Sequence, residues 1–470
     1  MMTQSNKTAP ASAPLRRVLI ANRGAVAARV LRALHQLGLE SVVVHSDIDA
    51  GLPYVKEATE AYLLPGDEPA ATYLNQDAIL DIARRAQVQA IHPGYGFLSE
   101  NADFARRVEQ AGLCYIGPSS RWIAELGEKT RARRFMHERG MPQSPSSEIL
   151  PDDLAQVAAA ARAIGYPVLI KPATGGGGIG MIPVASPEAL ADAWASASAI
   201  AQRSFGQASL YLEKLIERPR HIEFQFLADR HGQVRALFER DCSVQRRHQK
   251  VLEESRAPGI EAAELDAMAA QLEQILGGIG YDVIGTVEML YTPQDGFSFL
   301  EVNTRLQVEH AVTEQTTGID IVAAQIRLAA GERLEAVLPE TPVSRGHAIE
   351  ARIYAEDPRR FFPSPGRLTR FEPPAGPGIR LETGYAEGCQ VPRFYDPLLA
   401  KLIASGETRA QALQRLREAL QGFAVEGVKT NIPFLLQVLD SPDYIEGRLD
   451  IGLAARVLAD PARAVATLHS

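Results

Sequence analysis

The stretch TVEMLYTPQDGFSFLEVNTRLQVEH, residues 286–310, constrains this chain more than any other. Two apolar-rich runs, 286–292 and 297–303, flank Pro293-Gln294-Asp295-Gly296, which is turn chemistry. A hairpin with those four residues as its loop sets Thr292 against Phe297 and, counting back, Glu288 against Glu301. Like charges directly across a strand pair are destabilising, so the pairing makes sense with a cation between them. Asn303 is two residues past Glu301 and points to the same face. Two carboxylates and an amide oxygen are a hard, all-oxygen set that suits Mg²⁺ or Mn²⁺ and not zinc, and such sites also take phosphate oxygens. The bland alternative is a solvated hairpin with acidic residues on its wet face.

The chain has 470 residues, too many for one ordinary core, and two to four lobes are expected. A formal net charge of -8 gives no reason to expect nucleic acid or an anionic membrane as partner. No run approaches the roughly 18 apolar residues of a membrane span. Residues 1–14, MMTQSNKTAPASAP, lack an apolar segment and read as a disordered tail, not a signal peptide. The cysteines (Cys114, Cys242, Cys389) are far apart with no CxxC, which argues against a disulfide framework or a zinc site and fits a reducing cytoplasm. Cys242 lies among charged residues, yet no motif places a base beside it, and a filler thiol is the favoured reading. Of 49 Lys+Arg only eight are lysine, and four of these (Lys129, Lys171, Lys214, Lys250) fall in the motifs below. In an arginine-biased chain, a lysine marks a place where a compact point charge is wanted.

RVLIA (17–21), a helical run over 25–37 ended by Gly38, and SVVVH (41–45) make a βαβ opening of the doubly wound type. Its turn is NRG, so it is no dinucleotide fingerprint. Strands follow near 89–92 and 113–116, joined by HPGYGFLSEN (92–101), where Ser99 is the expected helix cap. Residues 142–152, rich in Pro and Ser, read as a linker. A small lobe then runs to about 217: helix 151–164, strand 167–171, a glycine loop, helix 187–202 and strand 209–214. A β-rich lobe with helix 262–278 reaches about 305, and a helix near 319–330 follows. Residues 346–403 are strand-like with many turns, and helix 408–421 and a helical C-terminus close the chain.

GYPVLIKPATGGGGIGM (165–181) joins a strand carrying Lys171 to four glycines, a loop that lets backbone N–H groups approach phosphates, with Lys171 adding charge. It is not a P-loop, since GK[ST] is absent. A flexible turn is the alternative. YLEKLIERPRHIEFQ (211–225) starts as a strand whose backbone could read an adenine edge, and His221 follows in an alternating run; a lone His is more often structural. In ERDCSVQRRHQK (239–250), simple alternation puts Arg246, His248 and Lys250 on one face and Gln245 on the other unless the strand bends. That run suits an anion-binding strand or a solvated charged face. In NTRLQVEH, Arg305 could hold an oxyanion and Glu309 could act as general base, or the segment is a salt-linked loop. Arg352 sits among alternating strand residues that do not by themselves distinguish function from a structural ion pair.

Taken together, these stretches resemble the biotin carboxylase family, the ATP-grasp component of biotin-dependent carboxylases. The resemblance covers about residues 16–450 and rests on IANRG, HPGYGFLSEN, IGP, GYPVLIK with its glycine loop, EK, PRHIEFQ, ERDCSVQRRHQK, FLEVNTRLQVEH, HAIEARIYAEDP, PSPG, YDPLLAKL and GVKTN in one order. It implies an α/β and α+β multidomain chain: a Rossmann-like pre-ATP-grasp domain over 15–127, an ATP-grasp domain over 128–330 with a glycine-rich lid at about 142–217, a C-terminal domain over 331–455, and a tail over 456–470. It implies that ATP phosphorylates bicarbonate to carboxyphosphate and that the released CO₂ passes to N1′ of biotin on a carrier protein. Lys129 and Lys171 would contact ATP phosphates, with Gly177 and Gly178 in the lid. Glu213, Lys214, Leu215 and Ile216 would line the adenine, and His221 and His248 would hold the nucleotide. Glu288, Glu301 and Asn303 would bind two Mg²⁺ or Mn²⁺ ions. Lys250, Arg305, Gln307 and Val308 would hold bicarbonate with Gln245 nearby, Glu309 would deprotonate it, and Arg352 would stabilise the biotin enolate.

The resemblance also implies partners: a biotin carboxyl carrier protein and a carboxyltransferase on other chains, in a cytoplasmic acyl-CoA carboxylase, acetyl-CoA first, and so fatty acid biosynthesis. The chain departs from the family in places. Where members carry five glycines and then Arg-Gly-Met-Arg, this chain has Thr174, four glycines and Ile179-Gly-Met-Ile182, which puts lid closure and nucleotide affinity in question. ANRGE has become ANRGA at Ala25, and Gln36 and Pro377 replace a Glu and an aromatic through which bacterial members dimerise, so a homodimer is less strongly implied. No Met-Lys-Met biotinylation site occurs. Two rivals stay open: an ATP-grasp carboxylate–amine ligase, which needs no bicarbonate pocket, and a low-turnover regulatory or binding subunit.

Overall fold

The structure, a computed structural model, describes residues 15–173 and 179–460. The N-terminal lobe is a five-stranded parallel sheet in the order Glu60–Leu63, Glu40–His45, Arg17–Ile20, Ala90–His92, Cys114–Tyr115. The expected βαβ opening is present, with its helix at Gly24–Gln36. The strand Glu60–Leu63 was not expected from the sequence: it is four residues long, and they alternate between part-buried and exposed. Chain order reverses beside Arg17–Ile20, and in such sheets ligands settle outside the carboxyl ends of the strands at that reversal. Two segments leave there, residues 21–24 and 93–97. Asn22 ties them by donating from Nδ2 to the Pro93 carbonyl (2.7 Å) and the Tyr95 carbonyl (2.8 Å). Gly94 has φ +67°, and a Cβ there would lie 2.8 Å from Asn22 Nδ2, so only glycine allows the approach. The following helix, Ala102–Gln110, is capped by Asn101, which accepts from the Phe104 N–H. The expected cap, Ser99, is buried instead and its carbonyl accepts from the Tyr115 hydroxyl.

The largest element is an eight-stranded antiparallel sheet: Gly296–Asn303, Val283–Thr292, Arg220–Ala228, Val234–Arg246, Gln249–Ser255, His347–Tyr354, Leu398–Gly406, Ile379–Thr383. It crosses residue 330, where a domain limit was expected, because Gln249–Ser255 pairs with His347–Tyr354. The two lobes on either side of that limit therefore share one rigid ladder. Phe224, Phe226, Val287 and Phe299 pack on helix Ala262–Ile279 through Met268 and Leu272, which leaves the alternate positions of the same strands free for polar chemistry.

The hairpin at 283–303 differs at its tip from the sequence reading. Its loop is three residues, with Thr292 opposite Gly296 and Tyr291 opposite Phe297. Gly296 takes φ +69°, the left-handed residue that closes three-residue hairpin loops. A bulge between the Met289–Phe299 and Glu288–Glu301 pairs absorbs Leu300, so Glu288 does oppose Glu301.

The small lobe is a three-stranded sheet, Ile182–Val184, Val168–Pro172, Leu210–Lys214, backed by helices Leu154–Ile164 and Leu190–Phe205 around a core of its own that includes Val157, Val168, Trp194 and Leu212. Residues 142–152 are more than a linker: Ser146 bridges Glu213 and Leu150 bridges Leu210 along the sheet edge. Gly177 and Gly178 lie outside the described residues. Among the described residues no helix is long and apolar enough to cross a membrane.

Candidate active site

Glu301, Glu288, Glu223 and Arg240 occupy successive positions in register across four adjacent strands. Three carboxylates side by side demand cations. Lys250 answers most directly: its Nζ lies 2.6 Å from Glu223, 2.8 Å from Glu288 and 2.7 Å from Glu309. Arg240, fully buried, donates to Glu223, and Arg352 donates to Glu309. Three glutamates (223, 288, 309) thus meet three cations (240, 250, 352), the condition for burying so much charge. Burial alone would lower the Lys250 ammonium, but Glu223, Glu288 and Glu309 outweigh it and hold its pKa well above the usual value. Glu223 was missed by the sequence reading, although it is two residues past His221 and so shares its face.

The placing of Gln245 and His248 needs correction. The segment 239–250 is not one strand: it turns at Arg247 (φ +49°) and His248 (φ +64°), both left-handed, and returns as Gln249–Ser255. Two successive positive-φ residues make the tight hairpin turn whose twist matches the strands. Gln245 therefore sits directly opposite Lys250 and shares its face, while His248 is exposed at the hairpin tip, away from the carboxylate row. Gln245 Nε2 lies 2.8 Å from His221 Nδ1 and donates to the Cys242 carbonyl. His221 Nε2 lies 2.9 Å from Glu288 Oε2. Cys242 is buried, and its thiol is pushed well up by burial and then Glu223, which fits a filler and not a nucleophile.

The strand carrying Glu301 and Asn303 runs straight into the loop 304–309. Arg305 is fixed there on every side: Nη2 donates to Asn303 Oδ1 (2.6 Å), Nη1 to Gln307 Oε1 (2.6 Å), and Nε to Glu100 Oε2 (3.0 Å). Glu100, from the HPGYGFLSEN loop, was not singled out from sequence. Gln307 passes the link on, donating to Glu288 Oε1 at 2.9 Å. The Val308 carbonyl accepts from Lys401. Glu309 is fully buried; burial pushes its carboxyl up, yet Lys250, Arg352 and Arg240 together hold it well below the ordinary range, so it is ionised at neutral pH. Arg352 spans Glu309 and Glu253, and burial pushes Glu253 up to about 7 despite that contact.

Towards the small lobe, Lys129 begins helix Lys129–His137 and sets its Nζ 3.1 Å from Glu301 Oε2, which raises its pKa. Lys171 is buried and donates to Glu213 Oε2 at 2.8 Å. Burial pushes the Glu213 carboxyl up, but Lys171 and Arg133 bring it down to about 2. The backbone N–H of Lys214 is taken by the Pro145 carbonyl and that of Leu215 by Pro167, and the Lys214 ammonium caps the Gly165 and Tyr166 carbonyls. In this conformation those two N–H groups hold the lobe together and are not presented to a base. Leu215 and Ile216 are half-buried beside them.

Arg352, Arg305 and Val308 also line a cleft of about 430 Å³, whose other wall is the strand reversal, with Asn22, Arg23, Ala25, Tyr95 and Phe97, joined by Tyr395 from the segment before the strand Leu398–Gly406. Arg23 is locked there by Asp49 at 2.6 Å and stacks on Tyr395 at 4.6 Å. The site thus has two sides, a carboxylate row facing the small lobe and an aromatic cleft at the sheet reversal, with Glu309 and Arg352 between them. The donor set also fits a hard divalent ion. Glu288 and Glu301 are in register, so carboxylate oxygens from adjacent strands face one space, and Asn303 is buried with its Oδ1, the third oxygen of the set, held by Arg305. His310, Glu314 and Glu382 also converge elsewhere, but Arg29, Arg380 and Lys401 neutralise their carboxylates.

Comparison with known proteins agrees with this layout. Residues 14–123 match the family description "Biotin carboxylase, N-terminal domain", 128–337 match "Carbamoyl-phosphate synthase L chain, ATP binding domain", and 350–456 match "Biotin carboxylase C-terminal domain". The chain is 48% identical to a biotin carboxylase of Halalkalibacterium halodurans over 92% of this chain and 95% of that one. It is 42% identical to a pyruvate carboxylase subunit of Methanothermobacter thermautotrophicus over 92% and 88%. The biotin carboxylase domain dimer of Hydrogenobacter thermophilus 2-oxoglutarate carboxylase, solved with MgADP, ADP and bicarbonate, superposes with a TM-score of 0.91 at 40% identity over 95% and 99%.

Proposed function

The chain belongs to the biotin carboxylase family, and from that premise we propose that it carboxylates biotin held on a separate carrier protein, using ATP and bicarbonate. It is an ATP-dependent ligase that forms a C–N bond. The observation that carries the residue-level reading is the sharing of Glu309 by Lys250 and Arg352, which joins the carboxylate row to the cleft.

In this reading Lys250, Arg305, Gln307 and Val308 hold bicarbonate, with Gln245 held close by its pairing with Lys250. Glu309, ionised, takes the bicarbonate proton as an oxygen attacks the γ-phosphorus of ATP, giving carboxyphosphate and ADP. Lys129 and Lys171 compensate phosphate charge, Glu213 to Ile216 flank the adenine, and His221 and His248 attend the nucleotide, His248 by a movement of its hairpin tip. Carboxyphosphate divides into CO₂ and phosphate, and the phosphate takes the N1′ proton of biotin. Arg352, on the cleft wall, stabilises the enolate oxygen while N1′ bonds to CO₂. Glu288, Glu301 and Asn303 would hold two Mg²⁺ ions, with Mn²⁺ as a substitute, and the metal would neutralise phosphate oxygens.

The carrier and carboxyltransferase are separate chains, the enzyme is cytoplasmic, and acetyl-CoA is the proposed acceptor, making the assembly an acetyl-CoA carboxylase of fatty acid synthesis. The three cysteines, all free, support a reducing compartment. A homodimer is supported by the dimeric relative. ATP hydrolysis measured with and without bicarbonate and free biotin tests the reaction: ADP release should require bicarbonate and rise with biotin. ATPase indifferent to bicarbonate overturns it. Labelled bicarbonate in a reconstituted mixture with acetyl-CoA, propionyl-CoA and pyruvate tests the acceptor.

A further inference from the structure

The mouth of the cleft carries a basic, aromatic surface whose arginines and outward-facing ring none of the proposed chemistry uses. It is built by three neighbouring segments. One is the hairpin tip after Arg246, where Arg247 and His248 are exposed and the next residue, Gln249, lines the cleft. The second is the loop 357–363, with exposed Arg359, Arg360 and Phe362. The third is the segment at Arg393, exposed beside the cleft residue Phe394. The three are tied: Arg247 Nη2 donates to the Arg360 carbonyl at 3.3 Å, and the Ala355 N–H donates to the Pro397 carbonyl at 2.8 Å.

The middle loop is pinned from below. Asp357 Oδ1 accepts from the Arg359 and Arg360 N–H groups, its Oδ2 accepts from Lys429, and its N–H donates to the Phe362 carbonyl. Phe361 is buried, lying 4.6 Å under the Arg246 guanidinium and edge-on to Phe434. With Phe361 as the anchor, Phe362 is turned outward and remains 62% exposed. A rigid loop that displays an apolar ring among arginines has the composition of a binding surface, since aromatic residues and Arg are enriched where proteins meet. Arg247, Arg359, Arg360, Arg393 and Lys429 stand against Asp357 and Asp396, so the surface is positive on a chain whose net charge is -8.

We propose that this surface docks an acidic face of the biotin carrier and so aims the tethered biotin into the cleft. The inference rests on the carboxylase reading above. A positive surface calls for an acidic partner, and its contiguity with the cleft through Gln249 and Phe394 makes that partner the chain whose biotin arm has to enter there.

The test uses the full chain with two substrates, free biotin and a purified acidic, biotinylated carrier domain, in two variants: the double Arg247→Glu/Arg360→Glu, and Phe362→Ala. The double variant should raise KM for the carrier about tenfold with kcat within about twofold, and Phe362→Ala should raise it about fivefold. Turnover of free biotin should stay within about twofold of the parent, which also reports that the fold is intact. Raising salt should raise KM for the carrier in the parent and leave that for free biotin unchanged. Carrier KM unmoved in both variants, or free biotin affected as strongly as the carrier, overturns the docking surface. Failure of the parent to carboxylate free biotin at all overturns the carboxylase reading, and this inference with it.

Discussion

Glu309 Oε2 accepts from Arg352 Nη2 at 2.9 Å, which couples the loop 304–309 to the strand His347–Tyr354. The other oxygen of the same carboxylate lies 2.7 Å from Lys250. A single buried glutamate is thereby the joint between the side of the site that faces the carboxylate row and the side that opens on the cleft. Removing either partner leaves a buried charge uncompensated, so substitutions here should affect chemistry before they affect nucleotide binding.

Glu309→Gln keeps the shape of the joint and removes the base. Bicarbonate-dependent ADP release should fall at least about 100-fold. ATP affinity by calorimetry should stay within about threefold, because Lys129 and Lys171 lie on other elements. Loss of ATP binding would contradict the assignment of Glu309 as base.

Arg352→Gln separates the two half-reactions. Carboxylation of biotin should fall about 100-fold or more, the usual cost of removing a group that meets developing negative charge. ATP hydrolysis dependent on bicarbonate should persist at a reduced level, since Lys250 still holds Glu309. Equal loss of both rates would place Arg352 in the phosphoryl-transfer step.

Much of this was legible in the sequence where a local rule applied. Four of the five parallel strands of the first lobe and the helix Ala262–Ile279 follow from apolar runs and periodicity, whereas Glu288 meets Glu301 because the bulge at Leu300 offsets a loop one residue shorter than the turn residues suggest. Errors arose where the backbone left its period. Alternation through residues 239–250 failed because Arg247 and His248 take left-handed conformations that ordinary residues rarely adopt, which moved Gln245 onto the Lys250 face. Glu223 and Glu100 were missed for another reason. Their importance lies in partners 27 and 205 residues away, Lys250 and Arg305, and distant pairing leaves no mark on a local pattern.

Stability should decline between about pH 4 and pH 8 because of Glu253 and Glu350, which oppose each other across neighbouring strands. Neither Glu350 oxygen has a hydrogen-bond partner, and Lys401, Glu253, Arg352 and Glu382 are the charges around it. Burial pushes Glu350 up to about 8 and Glu253 up to about 7. In the unfolded chain a glutamate titrates near about 4.3. Between that value and 8 the native state binds more protons than the unfolded state, so the contribution is full below the unfolded pKa, falls steadily as pH rises, and is gone once pH passes 7 for Glu253 and 8 for Glu350. Glu350→Gln mimics the protonated form, and its melting temperature should drop visibly less than the parent's from about pH 5 to pH 8. Identical pH slopes for the two proteins would show that Glu350 is ionised in the native state.

The lid departure can be tested at one position and not at the other, for a structural reason. Ile179 is 50% exposed in the turn that precedes the strand Ile182–Val184, so a charged side chain there meets water. Ile182 pairs with Ile170 and packs on the core of the small lobe. Ile179→Arg should therefore leave the melting temperature unchanged and lower KM for ATP by about three- to tenfold, the gain of one charge-assisted contact with phosphate. Ile182→Arg should instead cost about 1–3 kcal/mol of stability by forcing a guanidinium towards apolar packing, visible as a lower melting temperature whatever it does to ATP. An unchanged KM in Ile179→Arg would mean that the lysines at 129 and 171 already satisfy the phosphates and that this lid works without an arginine of its own.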